Sequence, residues 1–209
     1  MNIKSIIAII GALAALAATI ATVQIKTVEG HQIGVLETWS DGVVEDALQP
    51  KTYVFIPGFN KKVFLYDVNQ QVFVMNDNKV DFAEGRDADA YVVQSAEGQD
   101  MRISLNLQWR RDPFKVVDLH KTVRDAVEER LLRPEIMRVV KDAATKRSAL
   151  EVYSGQGLVD LQQEIEEKLT NPNSELRSRG IIINNFVIEG IKLDPNYVEQ
   201  IKLRQVAVQ

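Results

Sequence analysis

The chain has 209 residues, no cysteine and a net charge of −4, with 45% hydrophobic and 26% charged residues. This is a globular balance with room for one large or two small domains. The missing cysteines exclude disulfides, thiolate metal ligands and a cysteine nucleophile, and the negative balance provides no basic footprint for nucleic acid.

The first element is the uncharged stretch Ile6–Val23. As a helix it spans about 27 Å, close to the apolar thickness of a bilayer. Its strongest contributors are Ile6, Ile7, Ile9, Ile10, Leu13, Leu16, Ile20 and Val23. At roughly −0.3 to −0.6 kcal/mol each they make insertion favourable by a few kcal/mol. Lys4 in front and the pattern Ala15-Leu16-Ala17, which resembles a cleavage site, also fit a cleavable signal. The segment is expected to be retained as a transmembrane anchor over residues 1–25. Gly11, Ala15 and Thr19 form a small-residue row that would let membrane helices approach closely, although alanine is also an ordinary helix filler. Lys4 before the span, against Lys26 offset by Glu29 behind it, predicts a cytoplasmic N-terminus and a domain on the far side.

The next hundred residues read as β-structure. HQIGVLETW alternates with Ile33 and Val35 on one face, and Asp41-Gly42 signals a turn. TYVFIPG predicts a short buried strand stopped at Pro57-Gly58, and Val63 to Met75 is β-rich. The polar run DNKVDFAEGRDADA predicts a loop. In DMRISLNLQWR, Met101, Ile103, Leu105, Leu107 and Trp109 alternate with polar residues, the pattern of a sheet packed on one side and wet on the other.

The pattern then becomes helical. Asp112-Pro113 predicts an N-cap and first turn of a short helix through Phe114 and Val117 to about His120. A longer helix is expected from near Pro134, with Ile136, Val139, Val140 and Ala143 on one stripe. Leu158, Leu161, Ile165 and Leu169 repeat the spacing, with Glu164 and Lys168 as a supporting pair. After NPNS and a turn ending at Gly180, GIIINNFVIEGIKLD returns to strand, and Asp194-Pro195 opens a last helix. That helix reaches Gln209 in mid-pattern, so further chain or an assembly partner is expected to continue it. Val198, Ile201, Gln205 and Val208 fit a heptad seam; packing on the chain's own domain fits them equally well.

The order of these parts resembles the SPFH superfamily, named for stomatin, prohibitin, flotillin and the bacterial HflK/HflC proteins. The resemblance rests on the initial span, then VEGHQIGVLETWSDG with the downstream IPG, the strand MRISLNLQWRRDP, the helix LLRPEIMRVV and GIIINNFVIEGIKL before an open-ended helix. It is nearest to the prohibitin branch. It implies an α+β fold: a transmembrane helix, a domain rich in antiparallel sheet with packed helices at 26–193, and a C-terminal helix at 194–209 leading into a coiled coil. It also implies many copies of the chain, or of a close paralogue, forming a ring or cage that bounds a patch of bilayer. Such assemblies associate with a membrane-embedded AAA+ protease and restrain its access to substrates. A bacterial-type inner membrane, with the domain on the non-cytoplasmic side, is the expected location, and no enzymatic activity or cofactor is implied.

The residues themselves point to no catalytic, cofactor-binding or metal role. His31 and His120 are the two histidines, and Asp118 lies two positions from His120, on a different helical face. Ser40, Ser95 and Ser154 read as turn residues, none of them in a nucleophile elbow. Asp77, Asp81, Asp87 and Asp89 lack calcium-loop spacing, and Gly155-Gln156-Gly157 follows a helical pattern without the lysine of a phosphate loop. The side chains expected in assembly contacts are Gly11, Ala15, Val198, Ile201 and Val208. Two other functions fit the anchor: a regulatory subunit binding one membrane partner, and, ranked last, a membrane-tethered hydrolase.

Overall fold

The computed structural model describes residues 24–55, 61–76, 89–153 and 155–207, which fall into two compact units with their boundary at Asn69/Gln70.

In the first unit, β1 (Gln24–Val28) pairs antiparallel with β4 (Lys51–Phe55). A second sheet has the order β3 (Gly42–Val43), β2 (Gln32–Thr38), β5 (Lys61–Asp67). In β2, Ile33 and Val35 are buried as expected, but Gly34 between them is buried too, so both faces are covered there, with Leu48 and Val28 on the Gly34 side. Gly42 takes φ 69°, closing the β2–β3 hairpin around Trp39, Ser40 and Asp41. One expectation is corrected. The segment TYVFIPG does not provide a buried strand: among the described residues β4 pairs with β1 alone, and Val54 is 63% exposed. Its apolar residues suit a strand, and of them Tyr53 and Phe55 are half-buried. Pro57 and Gly58 lie outside the described residues.

The second unit is built on β8 (Asp100–Arg111). One edge pairs with β6 (Gln71–Met75) and β7 (Tyr91–Gln94), the other with β9 (Ile181–Leu193), all antiparallel. The five apolar residues of β8 are fully buried, as their alternation predicts. At about 1.5–3 kcal/mol for each large side chain, this face is a principal source of stability. The helices packed in this unit are α1 (Val116–Thr122), α2 (Arg133–Ala144), α3 (Ala149–Tyr153), α4 (Gln156–Thr170) and α5 (Glu175–Ser178). Ile136, Val139, Val140 and Ala143 of α2 and Leu161, Ile165 and Leu169 of α4 join the β8 residues in one core. The last helix, α6 (Pro195–Ala207), follows β9 directly.

Two β-bulges shape β9. Between Ser104 and Leu105 its register skips Glu189, and between Gln108 and Trp109 it skips Asn184. Both extra residues reach across the sheet. Glu189 accepts from Asn106 Nδ2 at 2.8 Å and Asn76 Nδ2 at 3.3 Å, and Asn184 donates to Gln70, which in turn donates to Gln108. A bulge re-aims a side chain, and here it completes the polar side of the sheet.

The helix starts contain two departures from expectation. Asp112-Pro113 does not open α1. The Asp112 N–H is bonded to the Gly180 carbonyl, so the chain is still finishing the sheet, and the Asp112 carboxylate accepts from Phe114 N–H in a local turn. α1 begins at Val116, leaving Phe114 outside it and 96% exposed. Before α2, residues Glu128–Leu132 form a π-turn, with Arg133 N–H donating to the Glu128 carbonyl. Pro134 has no N–H to offer the helix, and the wider turn carries Leu131 and Leu132 into the core ahead of it.

Candidate functional site: membrane-facing and assembly surfaces

The first unit exposes several apolar residues. Ile25 and Val54 are direct cross-strand partners, 64% and 63% exposed. Tyr53 and Phe55 stack at 6.3 Å between centroids with nearly parallel rings. Lys51 lies 4.9 Å from the Tyr53 ring and Lys61 5.7 Å from that of Phe55. Such pairs of aromatic rings and lysines suit a membrane–water interface, where a ring contacts the acyl boundary and an ammonium reaches headgroup phosphates.

Among the described residues of this unit, Trp39 is the most exposed aromatic, at 91%. It sits at the β2–β3 tip, where Asp41 N–H donates to Thr38 Oγ1 at 3.1 Å and Ser40 Oγ donates to the Asp41 carboxylate at 2.8 Å. These bonds hold the turn while leaving the indole in solvent. The pattern Thr-Trp-Ser-Asp-Gly could have revealed it: a large aromatic inside a turn motif has no core to enter.

The second unit exposes Tyr153 on α3 and Val159 on α4, at 50% and 57%. Of the residues expected in assembly contacts, Val198 and Ile201 are half-buried, and Val198 packs against the unit's own core. Gly11, Ala15 and Val208 lie outside the described residues, as do the anchor residues Ile6, Ile7, Ile9, Ile10, Leu13, Leu16, Ile20 and Val23. Among the described residues no helix is long and apolar enough to cross a membrane.

Charged groups form a cluster bridging α2 and α4. Glu164 accepts from Arg147 at 2.6 Å and from Lys168 at 2.8 Å, and Asp142 pairs with Lys168 at 2.7 Å and Lys146 at 3.2 Å. The Lys168 bond, with Arg147 beside it, holds the Glu164 carboxyl below its usual range against the opposing effect of burial. Lys168 and then Lys146 lower Asp142, and the carboxylates raise Lys168 in return. Elsewhere Glu97 is lowered: burial pushes it upward, but hydrogen bonds from the Ala149 N–H, its own backbone, Tyr197 and Ser95 outweigh that effect.

No catalytic constellation emerges from the described residues. His120 is buried in the last turn of α1, and His31 lies 3.5 Å from both Glu29 and Asp67 at the surface. Asp89 is engaged by Arg133 at 2.7 Å, while Asp77, Asp81 and Asp87 lie outside the described residues. No group of three or more metal-ligating side chains occurs among the described residues. Gly155 is the N-cap of α4, and Gln156 and Gly157 are its first residues. Ser40 and Ser95 occupy turns, and Ser154 is outside the described residues.

The chain combines antiparallel sheets with packed helices, a mixed α/β architecture, and its first unit exposes Trp39. Residues 26–209 match the family model described as SPFH domain / Band 7 family, and the chain belongs to that family. Its members are in general membrane-associated, oligomeric scaffolds without enzymatic activity. No curated protein matches this chain.

Proposed function

We propose that the protein is a membrane-anchored scaffold of the prohibitin type, whose copies line up side by side in a ring or cage. Ile6–Val23 tethers each copy in a single pass of a bacterial-type inner membrane, with the domain on the non-cytoplasmic side. The first unit lies at the bilayer surface. The observation that carries this reading is the exposed set Trp39, Ile25 and Val54 on the unit whose described residues begin at Gln24, directly after the apolar span. Helical surfaces of the second unit, and α6 continued as a coiled coil, supply contacts between copies. A head-to-tail contact that closes on itself makes a wall around lipid, and such a wall would shield a membrane AAA+ protease from substrates.

The test is imaging and sizing of the full chain after extraction in a gentle detergent. Closed rings or cages of many copies are the expected result. Monodisperse monomers or dimers would overturn the reading.

A further inference from the structure

A single carboxylate oxygen joins three segments of the second unit. Glu97 sits in the turn between β7 and β8, a turn closed by Ser95 N–H to the Gln99 carbonyl at 2.8 Å and by Gly98 N–H to the Ser95 carbonyl at 3.0 Å. Its Oε1 accepts from Ala149 N–H, the first residue of α3, at 2.8 Å, and from the Tyr197 hydroxyl of α6 at 3.0 Å. The same turn is tied to the α2–α3 connection through Ala96 N–H to the Arg147 carbonyl at 2.9 Å. The carboxylate is therefore mounted on a braced part of the domain, and the C-terminal helix comes to it.

Among the described residues, the contacts of α6 gather near its start. Asp194 caps it: its carboxylate accepts from Asn196 N–H at 2.8 Å and its carbonyl accepts from Val198 N–H at 3.1 Å. Tyr197 and Val198, in its first turn, pack against the core, Ile201 is half-buried, and Leu203, further along, is 64% exposed. A groove of about 690 Å³ lies beside this first turn, lined by Tyr153, Ile191, Leu193, Pro195 and Val198 among others. A helix held near its start can change direction when a contact there is lost.

We propose that Glu97 and Tyr197 form a latch that sets the exit angle of the C-terminal helix, and that releasing it lets α6 pivot about Asp194-Pro195 while the domain stays folded. The two components have separate roles. Asp194 holds the start of the helix, and the latch holds its direction. The device belongs to one protomer, so it stands or falls independently of ring formation.

The experiment uses the full chain in lipid, with spin labels on cysteines placed at Val92 on the sheet and Leu203 on α6. The natural sequence has no cysteine to interfere, and both sites are exposed. Labelled chain is diluted with unlabelled chain so that only distances within a protomer are read. The wild type is expected to give one narrow distribution. Tyr197→Phe removes the hydroxyl and keeps the ring's packing, and is expected to broaden the distribution about twofold or more at unchanged helix content. Glu97→Gln keeps an acceptor oxygen and is expected to stay nearer the wild type. A wild-type width in Tyr197→Phe would overturn the latch. Loss of helical signal in that variant would overturn it too, because the bond would then fold α6 rather than aim it.

Discussion

Gly180→Ala is the most diagnostic single change in the second unit. Gly180 stands between α5 and β9 with φ 90°, and an added Cβ would lie 2.6 Å from the Cβ of Lys115. Backbone strain at such a φ costs about 1–2 kcal/mol. The collision adds to it, because the Lys115 Cβ cannot move without the start of α1. Separating the two segments threatens the Asp112 N–H bond to the Gly180 carbonyl at 2.8 Å. It also threatens the Lys115 ammonium bonds to the carbonyls of Arg177 and Ser178 at 3.3 and 2.9 Å. At about 1 kcal/mol net for each of these three bonds, added to the strain, the total is about 4–5 kcal/mol. Urea unfolding followed by the fluorescence of buried Trp109, in a Trp39→Phe background, measures it. The control is the same change in a Lys115→Gly chain, where the collision is absent and about 1–2 kcal/mol of strain remains. Equal costs in the two backgrounds would refute the steric account.

Three other outcomes are expected. Bilayers of brominated lipid should quench Trp39 and leave Trp109, which is 0% exposed, unaffected; a quenching curve unchanged by Trp39→Phe would contradict surface seating. The carboxyls of Glu164 and Asp142 are depressed, so their contribution is present above their ordinary values of 4.5 and 3.8 and is lost as pH falls through the lower folded values. Lys168, being raised, contributes below 10.5 and loses that contribution only as pH climbs past its folded value. Lys168→Met should therefore destabilise near pH 7, with the difference from wild type shrinking as pH falls through the lowered folded values of the two carboxyls; a pH-independent difference would remove the ion cluster from the explanation. Finally, on α4, Leu161→Ala should cost about 2–5 kcal/mol by opening the core, whereas Val159→Ser should leave thermal unfolding almost unchanged and reduce complex size if that face joins copies.

Much of the second unit could be read from its residues because periodicity and burial agree there. Met101 to Trp109 alternate in sequence and in space, and the Ile136 and Leu161 stripes enter one core. Asp194-Pro195 opens α6 as its residue types suggest. What escaped was set by distant partners. β7 has only four residues and becomes a strand because β8 offers it an edge. The start of α1 is delayed by a carbonyl from Gly180, far along the chain. The π-turn before Pro134 leaves no periodic mark over five residues, and the two bulges of β9 are visible only through the register they alter. At the surface, the pattern HQIGVLETW places Trp39 at the end of a strand, whereas its exposure depends on turn geometry. The Glu97–Tyr197 contact joins residues with no local relation.

The pairing of β8 with β9 also sets a schedule for biogenesis. Arg111 meets Ile181 and Met101 meets Leu193, so the long inner strand has to wait for a partner made 70 or more positions later. At roughly 5–20 residues per second, translation leaves that edge open for about 4–14 s. If the leading span has inserted by then, the incomplete domain waits beside the membrane with an unpaired edge, close to sister chains with the same need. Nascent copies are then most prone to pair wrongly with one another, and timely delivery of the Ile181–Leu193 segment protects each chain from its neighbours.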